Sequence, residues 1–466
     1  MTTLRSAGLT TTHSVRSPDL LAVREILGEA VHRTGPSGAR RVPSAGAIFP
    51  YETLALCRVS VGASSVEWGL FRIEGTAGTC TMVPISPPLL RQLVAALPGG
   101  PGFAGCYVIV MTRPWLSIRK YGPRGYLYTQ LDAAHAAVNI VGIALSTGAA
   151  LLHAGLPAAA GIALRNGFAP FHEPHSVIQL AEAPHYGGDP VVTVRALASP
   201  SRAAQAYDFE ARAWASIVAP LQDAVELPAP TQPRDTMVVA LPEPRPDLAL
   251  RAEWRELSAA RRSAKRFATE PLSGARLAAA IGALATPLPT TLEHDVADRA
   301  GHAHSEPPAV SVTVIVNDRL ELSAAEQAAI TRCARLVRYA ANSDSMPREA
   351  SALVAACMGQ AHVAQCQAFV LLHTHPGLAA AGPTGHDIRR ALFRAGAAGQ
   401  LLCLAATRDG VAASPIGGFD SAVWAQLAQL PGGTELLYLL ALGTPAAEAG
   451  PARPDRAEKA TAHGEF

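Results

Sequence analysis

The sequence predicts an α+β protein made of two related domains, and three observations lead there. Its 466 residues exceed what a single ordinary core fills. A proline-rich stretch, Val218 to Pro246, interrupts otherwise well-patterned sequence. Segments on either side of that stretch repeat in register. The expected layout is a first domain at 1–217, a linker at 218–250, a second domain at 251–446 and an extended or disordered tail at 447–466.

In chain order, Glu52–Val61 and Cys106–Arg113 read as buried strands, and Leu131–Thr147 as a small-residue helix closed by Gly148. Beyond the proline-rich stretch, Glu253–Ser263 starts helical, and Ser311–Val316 and Ala368–Thr374 read as strands. Asp387–Thr407 reads as a long alanine-rich helix that stops at Asp409-Gly410. The repeat relates Val138–Gly148 to Gln400–Gly410. Seven residues beyond each glycine come Gly155-Leu156 and Gly417-Gly418, and an apolar strand follows in both halves, Val177–Ala181 and Glu435–Leu442.

With 49% hydrophobic and 16% charged residues, the chain has ample core and is far from a disordered composition. A formal net charge of +2 gives no electrostatic case for nucleic acid or a membrane surface. No run approaches the ~20 apolar residues of a membrane span. The first 18 residues lack a signal-peptide pattern, and the seven scattered cysteines form no C-x-x-C pair. A cytoplasmic protein with structural thiols is expected.

Four segments carry candidate chemistry. Arg261-Arg262-Ser263-Ala264-Lys265-Arg266-Phe267 offers the guanidinium forks and hydroxyl that a phosphate dianion needs, although the motif alone favours a basic helix end facing solvent. Pro43-Ser44-Ala45-Gly46 would let backbone N–H groups approach a flat ligand, with Ser44 adding a hydroxyl donor; alternatively it is a turn into a strand. Pro415-Ile416-Gly417-Gly418 exposes backbone N–H groups to a ring heteroatom, or is a plain loop. Lys120-Tyr121-Gly122-Pro123-Arg124-Gly125-Tyr126 places a lysine beside a tyrosine, a proton-sharing pair if the lysine is buried and a surface loop otherwise. Asp132 and His135 share a helix face, where a structural hydrogen bond is favoured over a metal site or catalytic dyad.

Taken in this order, the segments resemble the nitroreductase superfamily, and in particular its SagB-type azoline dehydrogenase branch. Pro43–Pro50, PSAGAIFP, is similar to that branch's PSAGALYP-type loop. Lys120–Tyr128 and the following Leu131-Asp132-Ala133-Ala134-His135 are similar to K-Y-G-x-R-G-Y before L-D-A-G-H, with Ala134 in place of the glycine. Arg261–Phe267 resembles R-R-S-x-R-x-F, and Gly417–Asp420 matches G-G-F-D. The resemblance spans roughly Ala39–Ala183 and Trp254–Pro445. It implies two nitroreductase-like domains, each a central, mainly antiparallel sheet flanked by helices, joined as an intramolecular pseudo-dimer.

Each half lacks what the other keeps. The first has no R-R-S-x-R motif, and Gly155-Leu156-Pro157 stands where G-G-F-D would be. The second has neither the K-Y-G stretch nor a P-S-A-G loop, Glu306-Pro307-Pro308-Ala309 standing in the loop's place. In this family the flavin lies at a two-fold interface, so the resemblance implies one FMN site per chain and a dead mirror image. Arg261, Arg262, Ser263 and Arg266 would hold the phosphate, with Arg453, Arg456 and Lys459 of the tail as further candidates. Pro415, Ile416, Gly417 and Gly418 would lie near the flavin ring, and Pro43, Ser44, Ala45 and Gly46 would complete the site. Lys120 and Tyr121 would handle the proton as peptide thiazolines or oxazolines become thiazoles or oxazoles. The implied partners are an azoline-containing peptide and a candidate cyclodehydratase, with the chain a monomeric pseudo-dimer or a homodimer. The other readings are an NAD(P)H-dependent nitroreductase or flavin reductase and a non-catalytic partner protein of a peptide-modifying complex.

Overall fold

The computed structural model describes residues 11–32, 40–61, 65–74, 79–146, 148, 150–156, 158–167, 172–181, 191–196, 253–285, 310–317, 320–339, 350–374 and 385–447. The proposed linker, the 306–309 segment and the tail beyond Ala447 lie outside them. The first half runs β1 (Thr11–Arg16), α1 (Pro18–Leu27), β2 (Tyr51–Val61), β3 (Ser65–Glu74), β4 (Thr79–Met82), α2 (Pro87–Ala96) and β5 (Cys106–Thr112). It continues α3 (Pro114–Tyr121), α4 (Arg124–Leu145), β6 (Ala150–Ala154), α5 (Ala158–Gly167), β7 (Glu173–Leu180) and β8 (Val191–Ala196). The second half begins α6 (Trp254–Ala260), α7 (Gly274–Gly282), β9 (Val310–Asn317), α8 (Ala324–Thr331), β10 (Arg335–Tyr339) and α9 (Ala350–Ala356). It ends β11 (Ala368–Thr374), α10 (Gly385–Arg408), β12 (Ala412–Ile416), α11 (Ser421–Leu427) and β13 (Leu436–Gly443).

Each half holds one mainly antiparallel sheet, as expected. The first has the order β1-β8-β4-β3-β2-β5-β7-β6, and β1 also meets β2 through Arg16 and Ser60. The second has the order β10-β9-β11-β13-β12. The run β2-β5-β7-β6 in one sheet corresponds to β9-β11-β13-β12 in the other. From β5 onward the correspondence keeps a constant spacing: Thr112 and Thr374, Ala150 and Ala412, and Glu173 and Glu435 are each 262 positions apart. The β5–β7 pairing shifts register between Val110 and Met111, and β11–β13 shifts at the matching Leu372 and His373. Bulges bend a strand and re-aim its side chains. Tyr438, beside the second bulge, is one of the side chains so placed.

The halves meet through their two long helices. Of the 22 residues of α4, 19 are buried, so it is enclosed on all sides and central to both cores. Small residues let the backbones come close: a Cβ on Gly396 of α10 would lie 2.6 Å from Ala134 Cβ and 2.7 Å from Leu131 O. α6 belongs by sequence to the second half but packs on the first. The Trp254 indole covers Gly142 and donates to Asn139 Oδ1 at 3.0 Å, and Asn139 Nδ2 donates to Ser258 Oγ at 2.9 Å. All seven cysteines are buried and unpaired. Among the described residues no helix is long and apolar enough to cross a membrane.

Candidate functional site

A cavity of about 330 Å³ lies between the halves. The first half contributes Pro43, Ser44, Ala45 and Gly46 from the loop before β2, Tyr121 from the end of α3, and Tyr128, Leu131 and Asp132 from α4. The second contributes Ser263 and Lys265 after α6, Met358, Gln360 and His362 after α9, Ser414 and Pro415 on β12, the two glycines beyond it and Tyr438.

The loop from the first half is tightly wound. Gly46, Ala47 and Phe49 take φ values of +64°, +55° and +50°, a left-handed region costly for residues with a Cβ. Asp132 holds the loop in this form: it accepts Ser44 Oγ–H at 2.5 Å and Ala45 N–H at 3.1 Å. Phe49 N–H donates to the same Ser44 oxygen at 2.8 Å. The expectation that Ser44 offers its hydroxyl proton to a ligand is therefore not met, because that proton is engaged by Asp132. Burial raises the Asp132 carboxyl to about 7, and the bonds from Ser44 and Ala45 act against the rise.

Gly46 is required sterically as well as conformationally. A Cβ there would lie 2.2 Å from Lys120 Nζ and 2.3 Å from the Tyr121 hydroxyl, so both predicted proton-handling groups converge on this glycine. The Lys120 ammonium stands 4.9 Å over the Tyr121 ring. Tyr121 lines the cavity, whereas Lys120 is exposed, so the burial that would make it a base is not met. The stretch read as one loop is instead the end of α3, a break at Gly122 (φ +61°) and the start of α4.

Across the cavity the G-G-F-D segment divides its work. Gly417 approaches Ala45, a Cβ on it lying 3.2 Å from that residue's Cβ, and Gly418 O accepts from Gln360 Nε2 at 2.8 Å. Phe419 is buried with the Arg124 guanidinium 4.1 Å over its ring, and Asp420 caps α11 through Ala422 N and Val423 N. Pro415 lines the cavity. Ile416 does not: it is fully buried in the second half's core, because β12 extends through it and its side chain turns inward.

The basic segment is arranged differently from the expectation. Arg261 is buried and bonded to backbone of the first half, donating to Arg41 O and Arg40 O at 2.8 Å each and to Ser263 Oγ at 3.2 Å. It is thus a brace between the halves rather than a wall of the cavity. Arg262 donates to Ala260 O at 2.6 Å, and Arg266 is exposed and away from the lining. Ser263 and Lys265 face the cavity. Lys265 is exposed over much of its side chain, but partial desolvation and then the Arg261 charge lower its ammonium, while burial and then Lys265 lower His362. Three cationic or potentially cationic groups thus crowd one end, a repulsion that a bound anion would relieve.

Motif reading missed His362, Gln360, Met358 and Tyr438, and took Asp132 and His135 for a mutual pair. His362 Nε2 lies 3.0 Å from Ser414 Oγ, and Asp132 and His135 each bond elsewhere. No local pattern marks the 358–362 segment. Asp132 had a signal, a carboxylate in a helix made mostly of small and aliphatic residues.

At the corresponding place across the pseudo-two-fold, Leu131 is matched by Phe393, whose ring lies 5.4 Å from His175, and Asp132 by Arg394. The profile of the nitroreductase family matches residues 259–444. No curated protein matches the sequence. Among solved structures, a protein from Anabaena variabilis assigned as a nitroreductase is 16% identical with a TM-score of 0.56, covering 92% of this chain and 88% of its own. The E. coli microcin synthetase McbBCD complex with truncated pro-MccB17 bound matches at 18% identity and a TM-score of 0.29, over 39% of this chain and 71% of that one. The NADPH:FMN oxidoreductase of Vibrio harveyi in complex with NAD+ matches at 18% identity and a TM-score of 0.26, over 43% and 73%. The chain therefore carries a nitroreductase-family domain at residues 259–444, preceded by a second region of the same fold.

Proposed function

We propose that this chain is an FMN-dependent oxidoreductase that oxidises thiazoline or oxazoline rings in peptides to thiazoles or oxazoles, in the biosynthesis of a ribosomally made, thiopeptide-like modified peptide. The observation that carries the flavin assignment is the composition of the cavity wall. Residues 43–46 and Tyr121 of one half face Ser263, Lys265, Pro415, Gly417 and Gly418 of the other. The azoline substrate rests on the resemblance of the Lys120–Tyr128 and Pro43–Pro50 segments to the SagB-type branch.

The residues present fit FMN. A volume of about 330 Å³ lies within the usual range of small-molecule sites. Gly46, Gly417 and Gly418 form a cradle in which added Cβ atoms would crowd their neighbours. Ser263 and Lys265 supply a hydroxyl and a charged donor for the phosphate, with Arg261 raising the local potential from behind. When bound, FMN supplies a hydride acceptor.

The chain's own work is to orient the azoline ring and take its acidic proton. Tyr121, in the cavity wall, and Lys120, whose ammonium stands 4.9 Å over that ring, are the pair assigned to handle the proton. The peptide, and any cyclodehydratase that supplies it, would approach from the Lys120 side, where the chain is exposed. One flavin per chain is expected.

Purified protein titrated with FMN and then incubated with an azoline-containing peptide tests the reading. The expected results are one FMN per chain and a loss of two hydrogens per ring by mass spectrometry. A protein that takes up no FMN would exclude the enzyme. A flavoprotein that consumes NAD(P)H but leaves azolines intact would redirect the function to flavin or nitro-group reduction.

A further inference from the structure

We propose that Asp132 is a positioning residue of this site: its carboxylate latches the left-handed 46–49 loop against the cavity through Ser44 and Ala45, and loss of its charge loosens that wall. The inference rests on the cavity being the ligand site and goes beyond the flavin reading.

The loop has three left-handed residues in four, two of them carrying side chains, so its backbone does not favour this shape unaided. Three hydrogen bonds define it: Ser44 Oγ–H and Ala45 N–H to Asp132, and Phe49 N–H to Ser44 Oγ. Two end directly on the carboxylate, and the third ends on the Ser44 oxygen whose proton the carboxylate holds, so the three form one connected set. The carboxylate is buried, with no cation among the described residues bonded to it. The loop's outer face is the surface Gly417 approaches, so its position sets the width of the cavity.

Neighbouring groups do not substitute for the latch. Tyr438, from β13, is held protonated by burial first, with Cys403 and Asp132 adding to the effect, and its hydroxyl bonds His135. His135, one turn along α4, is kept neutral by burial. Tyr121, Tyr128, Lys265 and His362 line the same cavity, and none bonds the carboxylate in the arrangement described. An uncompensated buried carboxylate raised to about 7 changes charge within the ordinary working range of pH.

Hydrogen–deuterium exchange of the peptide covering 43–49, in the full-length flavin-free chain, tests the latch from about pH 5.5 to about 8.5 after correction for intrinsic rates. Protection is expected to fall about ten- to a hundredfold as the pH drops through 7, the loss of charge-assisted bonds. Asp132→Asn, which keeps shape without charge, should be fast at every pH. Ser44→Ala, which leaves the core untouched, should also be fast and lose most of the pH dependence. FMN affinity should weaken in parallel in both variants and in the parent at low pH. Parent protection that does not vary with pH, or variants as protected as the parent, would overturn the latch. Because exchange is read without flavin, a protein that binds no FMN yet shows the pH-dependent loop would sink the cofactor assignment and leave the latch standing.

Discussion

Gln400, on the long helix of the second half, accepts the Nδ1 proton of His135, on the long helix of the first, at 2.9 Å. The direction follows from the chain of bonds behind it. Asn139 must turn its amide nitrogen to Ala30 O at 2.7 Å, so its oxygen receives Trp254 Nε1–H and, at 3.3 Å, Gln400 Nε2–H. Gln400 is left with only its oxygen for His135. The imidazole therefore carries its proton on Nδ1, and Nε2 accepts the Tyr438 hydroxyl at 2.8 Å. Five residues from both halves thus fix one tautomer and one orientation of a cavity-lining phenol.

Replacing Gln400 with Leu should strand the buried Nδ1–H and cost about 1–3 kcal/mol of stability. Nitrogen-15 shifts of His135 in the parent should show the Nδ1–H tautomer unchanged down to about pH 5, since burial holds its pKa at about 3. A His135 that titrates near 6.5 would refute the chain.

Gly142→Ala probes how the second half is docked. A Cβ there would lie 2.0–2.5 Å from three atoms of the Trp254 indole, a rigid ring with no room behind it. A loss of roughly 1–3 kcal/mol in denaturant unfolding is expected from overpacking alone. Displacement of α6 should also carry Arg261 and Ser263 with it and weaken FMN binding. Equal stability in the variant would show that the helix is not wedged as described.

Gly46→Ala should separate activity from folding. The left-handed backbone costs on the order of 1 kcal/mol, while the methyl displaces Lys120 Nζ and the Tyr121 hydroxyl. Turnover should fall at least about tenfold with a shift of only a few degrees in melting temperature. If turnover survives, the Lys120–Tyr121 pair does not handle the proton.

Stability should rise with pH between about 4.5 and 6.5. Burial holds His32 at about 4, His135 at about 3 and His175 at about 4, all below the unfolded value of 6.5. The unfolded chain then binds more protons in this window, so this contribution is complete above 6.5 and is lost as the pH falls toward 4. Asp132 works the other way: raised to about 7 from 3.8, it removes stability as the pH climbs from about 4 to 7. Burial also lowers His362 and raises Asp19 and Glu435, but the large shifts of the three buried imidazoles give a net rise, and Asp132→Asn should steepen it. A melting temperature that declines over this range would contradict the assignment.

Much of the fold is legible in the sequence where patterns are long and local. β11 was predicted to the residue, and the helix expected at Asp387–Thr407 is α10 with two residues added at its start and one at its end. α4 begins seven residues before the expected Leu131, because Gly122-Pro123 punctuates the chain while Arg124 onward packs as helix. Cavity-lining positions set by local backbone, such as Gly46 and Gly417, are legible. Those decided by distant chain are not. That Arg261 would brace the carbonyls of Arg40 and Arg41 depends on chain 220 and 221 positions away. Ile416 looked like loop and is the inward residue of a strand; His362 and Gln360 reach the cavity from a segment with no motif at all.

The constant spacing between the halves has a genetic consequence. In a two-fold homodimer every substitution enters both sites at once, so neither can be relieved of a constraint while the other keeps it. Here Asp132 and Arg394, or Leu131 and Phe393, occupy matching places yet are separate codons. Either member can change alone, so the two halves can diverge at matching places.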